Sequence, residues 1–244
     1  MRELRNKYKN EYKNMNTNKT DTKKINIKET NENKIKTEWM NASVIEKKSF
    51  EIIEGILEEK GITLPPMEAP VIKRCIHTTA DFDYVETLKF SERAVDVLSK
   101  LIRSGADVVT DTNMALTGIN KKKLAEFGCN IHCYMADEDV AREAKERELT
   151  RAYVSMERAM KIDSPVIFVV GNAPTALISL MEAYRNNGYR PAFIIGVPVG
   201  FVNVEAAKEQ ILDSDLDYIV NRGRKGGSNV AAAIFNAVLY MWEG

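Results

Sequence analysis

From residue 38 onward the chain alternates between two hydrophobic rhythms. Short runs made almost wholly of apolar residues are separated by longer stretches with an apolar residue every three or four positions. The first rhythm predicts strands buried on both faces, and the second predicts amphipathic helices. Val44, Ile45, Ile52, Ile53, Ile56 and Leu57 predict a helix from Trp39 to Glu59, ended by Gly61. Pro65 and Pro66 form a hinge. Met67 to Ile76 then predicts a short helix that delivers His77 at its C-terminal end, since proline suits a helix's first turn. Tyr84 to Phe90 alternates like a strand. Ser91 is placed to cap a helix carrying Ala94, Val95, Leu98, Leu101 and Ile102 on one face, with Gly105 as its stop.

Further along, "ADVVTD" (106–111) and "NIHCYM" (130–135) read as strands, and a long charged helix runs from about Asp137 to Lys161. "PVIFVVG" (165–171), "PAFIIG" (191–196) and "DYIVN" (217–221) complete the strands. Each leads into a helix, beginning near Pro174, Val204 and Ser228, the last running to Met241. Short apolar strands alternating with helices predict an α/β domain over 38–244, a three-layer, doubly wound, mainly parallel sheet.

Residues 1–37 break the rhythm. They hold eleven basic and five acidic residues, eight asparagines and few apolar side chains. Such a stretch cannot offset its ordering entropy by burial, so a disordered tail is expected. A nucleic-acid tether is one reading of its charge, and an idle extension is the plainer one. It lacks the apolar core of a secretory signal and the Arg/Ser richness of a transit peptide. The whole chain has 35 basic and 35 acidic residues, so residues 38–244 carry a net charge of −6. That balance gives no bulk attraction to nucleic acid or anionic lipid, and no apolar run reaches the length of a membrane span. Three cysteines build no disulfide framework and suit a reducing cytoplasm.

Ligands of open α/β sheets lie outside the carboxyl ends of the strands. Four loops fall there: "DTNMALTGI" (111–119), "GNAPTAL" (171–177), "VPVGFV" (197–202) and "RGRKGGSN" (222–229). Glycine lets backbone N–H groups approach a ligand, and three of these loops lead into helix N-termini suited to anions. Arg222, Arg224 and Lys225 add charge, and an arginine fork grips a carboxylate with two bonds. Any one loop reads equally as a plain turn. Four on one edge describe a broad pocket for a ligand with several negative groups. "RGRKGGS" is not a phosphate-binding P-loop and no G-x-G-x-x-G follows a strand, so a nucleotide site lacks support.

The chain has two histidines. His77, in "KRCIHTTADFD", reads as either an acid/base or a structural histidine, and His132, inside an apolar strand pattern, as structural. Cys129, His132 and Cys133 fall one ligand short of a zinc site and read as core or edge residues. Cys75 reads as a small buried hydrophobe, Asp81 and Asp83 as caps ahead of metal ligands, and "DEDVAREAKERE" as a solvated helix face.

The blocks "KSFEII", "RCIHTTADFD", "DTNMALTGI", "GNAPTAL", "IIGVPVGFV" and "GRKGGSNVAAAI" resemble, in order, the signature blocks of the precorrin-8X methylmutases of corrin biosynthesis, over roughly residues 38–241. "HTTADFD" is similar to the cobalt-dependent, anaerobic branch. The resemblance implies a flavodoxin-like fold and a homodimer. It implies movement of a methyl group from ring carbon 11 to ring carbon 12 of a corrinoid, giving cobyrinate, or hydrogenobyrinate on the aerobic route. The family's catalytic histidine falls on His77, its nearby substrate contacts on Ser49 and Arg74, and a further arginine on Arg151 in "LTRAYVS". Lys48 departs from the arginine often found there and loses the planar fork.

Arg74, Arg151, Arg222 and Arg224 are then candidates for the substrate's acetate and propionate arms, with Asn172, Thr175, Gly226, Gly227 and Ser228 from the loops. Thr78, Thr79 and Asp111 are placed to orient the imidazole or the macrocycle edge. Such a shift needs no redox cofactor, nucleotide or protein-bound metal, and any cobalt arrives inside the substrate. A histidine can lend a proton to a ring nitrogen and recover it. Two other classes of function use the same loops: a non-catalytic corrinoid carrier, and a nucleotide-binding regulator built on "GRKGGS".

Overall fold

The computed structural model describes residues 41–241. The expected tail over 1–37, and Trp39 at the start of the first expected helix, lie outside the described residues. The strands are β1 Leu88–Phe90, β2 Asp107–Thr110, β3 Ile131–His132, β4 Val166–Val170, β5 Phe193–Gly196 and β6 Tyr218–Asn221. The helices are α1 Ala42–Glu59, α2 Ala69–Thr79, α3 Tyr84–Thr87, α4 Ala94–Arg103, α5 Asn113–Gly118 and α6 Lys121–Glu126, followed by α7 Glu138–Glu146, α8 Arg151–Ala159, α9 Pro174–Asn187, α10 Val204–Leu212 and α11 Ser228–Tyr240. No helix among the described residues is long and apolar enough to cross a membrane.

The strands form one sheet in the order β1-β6-β5-β4-β2-β3. β2 to β6 are mutually parallel, while β1 runs antiparallel along the edge, Leu88 opposite Asn221. Leaving out β1 and renumbering, the parallel order is 2-1-3-4-5, the flavodoxin-like winding with its switch point between the first and third strands. Those two are β2 and β4. Residues of β4 alternate between faces, as strand geometry requires. Ile167 and Val169 pack with α2, α4 and α11 through Ile76, Leu98 and Ile234. Phe168 and Val170 pack with α8, α9 and α10 through Met156, Leu180 and Ile211. Covered on both faces, β2, β4 and β5 are buried at every position, which is why they read as unbroken apolar runs.

The structure departs from the sequence pattern in five places, each with a local cause. Tyr84–Thr87 is a helical turn and only Leu88–Phe90 is strand. The Asp83 carbonyl accepts from the amides of Glu86 and Thr87, closing the turn before the sheet begins. The charged stretch 137–161 is two helices, because Glu148 turns left-handed and the Thr150 hydroxyl accepts from the Tyr153 amide to cap α8. Ser91 does not cap α4. Its hydroxyl accepts from the Tyr218 amide, tying it to β6, and α4 starts after a left-handed Arg93. In 130–135 only Ile131 and His132 pair. The stretch 111–119, expected as loop, contains α5, capped by Thr112.

Candidate active site

His77 lies in the last turn of α2, which begins with Pro70 in its first turn and ends at a left-handed Ala80. The imidazole stacks on Phe50 of α1, with centroids 5.1 Å apart and planes 14° from parallel. Arg74, one turn earlier on α2, places its guanidinium 4.8 Å from the Phe50 centroid and is paired with Glu46. Glu46 and Phe50 are four apart on α1, and Arg74 and His77 three apart on α2, so each pair shares one helix face. Neither imidazole nitrogen has a hydrogen-bond partner among the described residues. A cleft of about 400 Å³ opens beside Phe50 and Arg74, lined also by Pro66, Ala69, Lys73 and Ala237.

Three hydroxyls here donate to their own helices: Ser49 to the Ile45 carbonyl, Thr78 to Arg74 and Thr79 to Cys75, each at 2.8 Å. Their oxygens keep lone pairs to accept with. Asp81 accepts from the Asp83 amide, a local cap. Both carboxylates also hold the Lys225 ammonium, at 2.6 and 2.5 Å. The hydrogen bond from Lys225 holds the Asp81 carboxyl below the ordinary range. This clamp brings the loop after β6 to the end of α2.

That loop is tightly built. Gly226 has φ of 156°, and a Cβ there would lie 2.0 Å from the Val197 carbonyl oxygen, so only glycine fits. The Gly227 amide donates to the same carbonyl. Beneath the loop lies Lys208, 0% exposed, whose ammonium donates to the carbonyls of Gly223 and Lys225 at 2.7 and 2.8 Å. Burial pushes its pKa down to about 8.

Asp111 is also fully buried. It sits at the switch point, where its carboxylate accepts from the amides of Gly171, Asn172 and Ala173 at 2.9, 2.8 and 2.7 Å. Burial pushes this carboxyl up, and the three amides draw it back. The amide cradle ahead of α9, which such a fold offers to an anion, is therefore filled by the protein's own side chain.

The remaining candidates are placed as follows. The hydroxyls of Ser228 and Thr112 lie 2.8 Å apart, and Thr150 donates to Thr175 at 2.7 Å. The Thr112–Ser228 contact, the Asp111 cradle, the Gly227–Val197 hydrogen bond and the Lys225 clamp together link all four edge loops to the end of α2. Arg151 is exposed and has no partner among the described residues, and the Asn172 side chain is exposed. Arg222 and Arg224 pair with Glu209 and Glu205 of α10, on the outer side of their loop. Away from this edge, His132 bonds Asp107 and stacks on Tyr134, and the Cys129 thiol bonds the Ile102 carbonyl. No group of three metal-type side chains gathers among the described residues.

Sequence reasoning passed over Glu46, Phe50 and Lys208. Only Lys208 left a signal, a lysine on the stripe Val204, Ala207, Lys208 and Ile211 that should be apolar throughout.

An open doubly wound sheet with loops gathered at its carboxyl edge defines a class, an α/β protein of flavodoxin-like winding, here with an unpartnered imidazole one helical turn from a guanidinium. The sequence profile of the precorrin-8X methylmutases matches residues 44–241. The cobalt-precorrin-8 methylmutase of Leptospira interrogans is 41% identical over 206 residues, 81% of this chain and 92% of its own. That of Salmonella typhimurium is 43% identical over 203 residues, 80% of this chain and 93% of its own. The crystal structure of the precorrin-8X methylmutase from Thermus thermophilus aligns with a TM-score of 0.73 and 39% identity, over 81% of this chain and 94% of that one. The chain belongs to the precorrin-8X methylmutase family, isomerases of cobalamin biosynthesis.

Proposed function

We propose that the chain moves a methyl group from ring carbon 11 to ring carbon 12 of cobalt-precorrin-8 and releases cobalt cobyrinate, with His77 as proton donor and acceptor. The observation that carries this is the His77 imidazole, partly exposed, both nitrogens free of protein partners, one turn from Arg74. Protonating a ring nitrogen draws electron density from the carbon beside it and favours migration of the methyl group with its bonding pair. Return of the proton to His77 restores the conjugated product, so the reaction needs no other donor or acceptor. Cobalt enters as part of the substrate, which the naming of the Leptospira and Salmonella relatives supports. The enzyme holds no cofactor of its own in this reading.

Arg74 and Arg151 are the first partners for the substrate's carboxylate arms, since Arg151 is unpaired and Arg74 can exchange Glu46 for a substrate carboxylate. Arg222 and Arg224 can make the same exchange with Glu209 and Glu205. Ser49, Thr78, Thr79, Thr175 and Ser228 offer acceptor oxygens, and Asn172 an exposed amide. The chain acts as a homodimer, a reading supported by Phe201 and Val202, 83% and 76% exposed, which a second subunit would cover. Three free cysteines support a cytoplasmic location. The test is turnover of cobalt-precorrin-8 followed by the change in its absorption spectrum. His77→Ala should still bind corrinoid while turnover falls by roughly two to four decades. Wild-type turnover by that variant would remove His77 from the mechanism.

A further inference from the structure

A histidine that shuttles a proton is ordinarily fixed by a hydrogen bond to its second nitrogen, which sets the ring's orientation. His77 has no such partner among the described residues. Its plane is set instead by Phe50, lying nearly parallel at 5.1 Å. Phe50 is in turn held from two directions. It sits on α1 one turn after Glu46, and Glu46 ties Arg74, whose guanidinium lies 4.8 Å from the same phenyl ring. Ile53 and Leu57 of α1 are buried in the core and fix the helix that carries it. Phe50 also lines the cleft beside Arg74.

Deepening the reading of His77 given above, and resting on it, we propose that Phe50 is a positioning residue for the methyl shift. Its ring face fixes the His77 plane while leaving both nitrogens open, one to meet the substrate and one to meet water. An oriented but unbonded imidazole can gain or lose its proton at either nitrogen without breaking a protein hydrogen bond. A stacked ring permits that, whereas a carboxylate partner would fix one tautomer. A misplacement of about 1 Å at a reacting group costs as much as a hundredfold in rate.

Phe50→Leu should lower kcat roughly ten- to a hundredfold, with a smaller change in KM, because Arg74 keeps Glu46. Phe50→Tyr, which retains the face, should restore most of kcat. Phe50→Met keeps more bulk without a face, serves if the leucine variant folds poorly, and should be as slow. Imidazole proton NMR adds a geometric readout. With two histidines in the chain, the pair of signals lost in His77→Ala belongs to His77. Those signals should move downfield in Phe50→Leu and stay in place in Phe50→Tyr, while the His132 signals, stacked on Tyr134, stay put in both. If Phe50→Leu turns over at the wild-type kcat while His77→Ala is inactive, Phe50 does not position the base, though His77 keeps its role. Unmoved His77 signals in Phe50→Leu would equally overturn the stack. If His77→Ala itself is fully active, the reading of His77 fails and this inference fails with it, a result distinct from the other two.

Discussion

Lys208 is the residue that departs furthest from where its chemistry would ordinarily put it. A lysine on a core stripe brings a charge into low dielectric, and that cost is what lowers its pKa to about 8. The two carbonyls that accept from it, of Gly223 and Lys225, suit a neutral amine as well as an ammonium, since an amine still has two hydrogens to give. A depressed lysine has a definite sign. In the unfolded chain the group keeps its proton up to about 10.5, whereas in the folded chain it sheds it near 8. Between those values the unfolded state binds more protons, so stability from this group rises with pH, by up to roughly 3 kcal/mol. Lys208→Met should remove that rise. In alkali, where the lysine is neutral, it should cost about 1 kcal/mol from the orphaned Gly223 carbonyl, whereas at pH 7 relief of the buried charge should cancel or reverse that cost. Denaturant melts of both proteins at pH 7 to 10 would show the wild type gaining on the variant as pH rises, and a constant difference would mean that the ammonium is not desolvated.

Among the elements, α9 is set by a contact from 60 residues upstream, where Asp111 takes the three amides that precede it. Asp111→Ala would leave those donors facing a small anion-sized void, at a cost of about 3 kcal/mol. Formate should fill that void, raising the melting temperature of Asp111→Ala well beyond any effect on the wild type. An equal response of the two proteins would show that the cradle collapses when emptied. Such a pairing could not be read from the chain, because nothing local links Asp111 to Gly171. Strands β2, β4, β5 and β6 were legible for the opposite reason: burial on both faces leaves an apolar run whatever their partners. The starts of α9, α10 and α11 were legible at Pro174, near Val204 and at Ser228. The break between α7 and α8 was not, since charged helical spacing continues on both sides and only the Thr150 hydroxyl marks the stop. His77 stood out by its rarity and by the family's motif. Its neighbour Phe50 did not, because an aromatic residue on a helix reads as core until the opposing ring is seen.

Across the whole molecule, the block that holds His77 and the last block of the site are joined by one cation. Lys225 reaches Asp81 and Asp83 over 144 and 142 residues of sequence, and so closes the loop after β6 onto the turn that follows His77. The groups are largely solvated, so water and salt weaken the attraction and little of the fold's stability rests on it. Its weight falls on geometry. The same loop carries Arg222, Arg224 and the glycines packed on Val197, so in the proposed function its position relative to His77 sets where the corrinoid's arms would reach. Lys225→Leu should therefore change the melting temperature little and raise KM for the corrinoid severalfold, with a smaller effect on kcat. An unchanged KM would show that the loop is positioned from beneath, by Lys208, and not by the clamp. Acid adds a second measurement. Because the Asp81 carboxyl is held below its ordinary 3.8, its share of the clamp persists above that value and is lost only as pH falls through the lowered one. Corrinoid binding by the wild type and by Lys225→Leu should consequently differ at every pH above 4 and converge only in stronger acid, whereas convergence at pH 6 would assign the difference to some other titrating group.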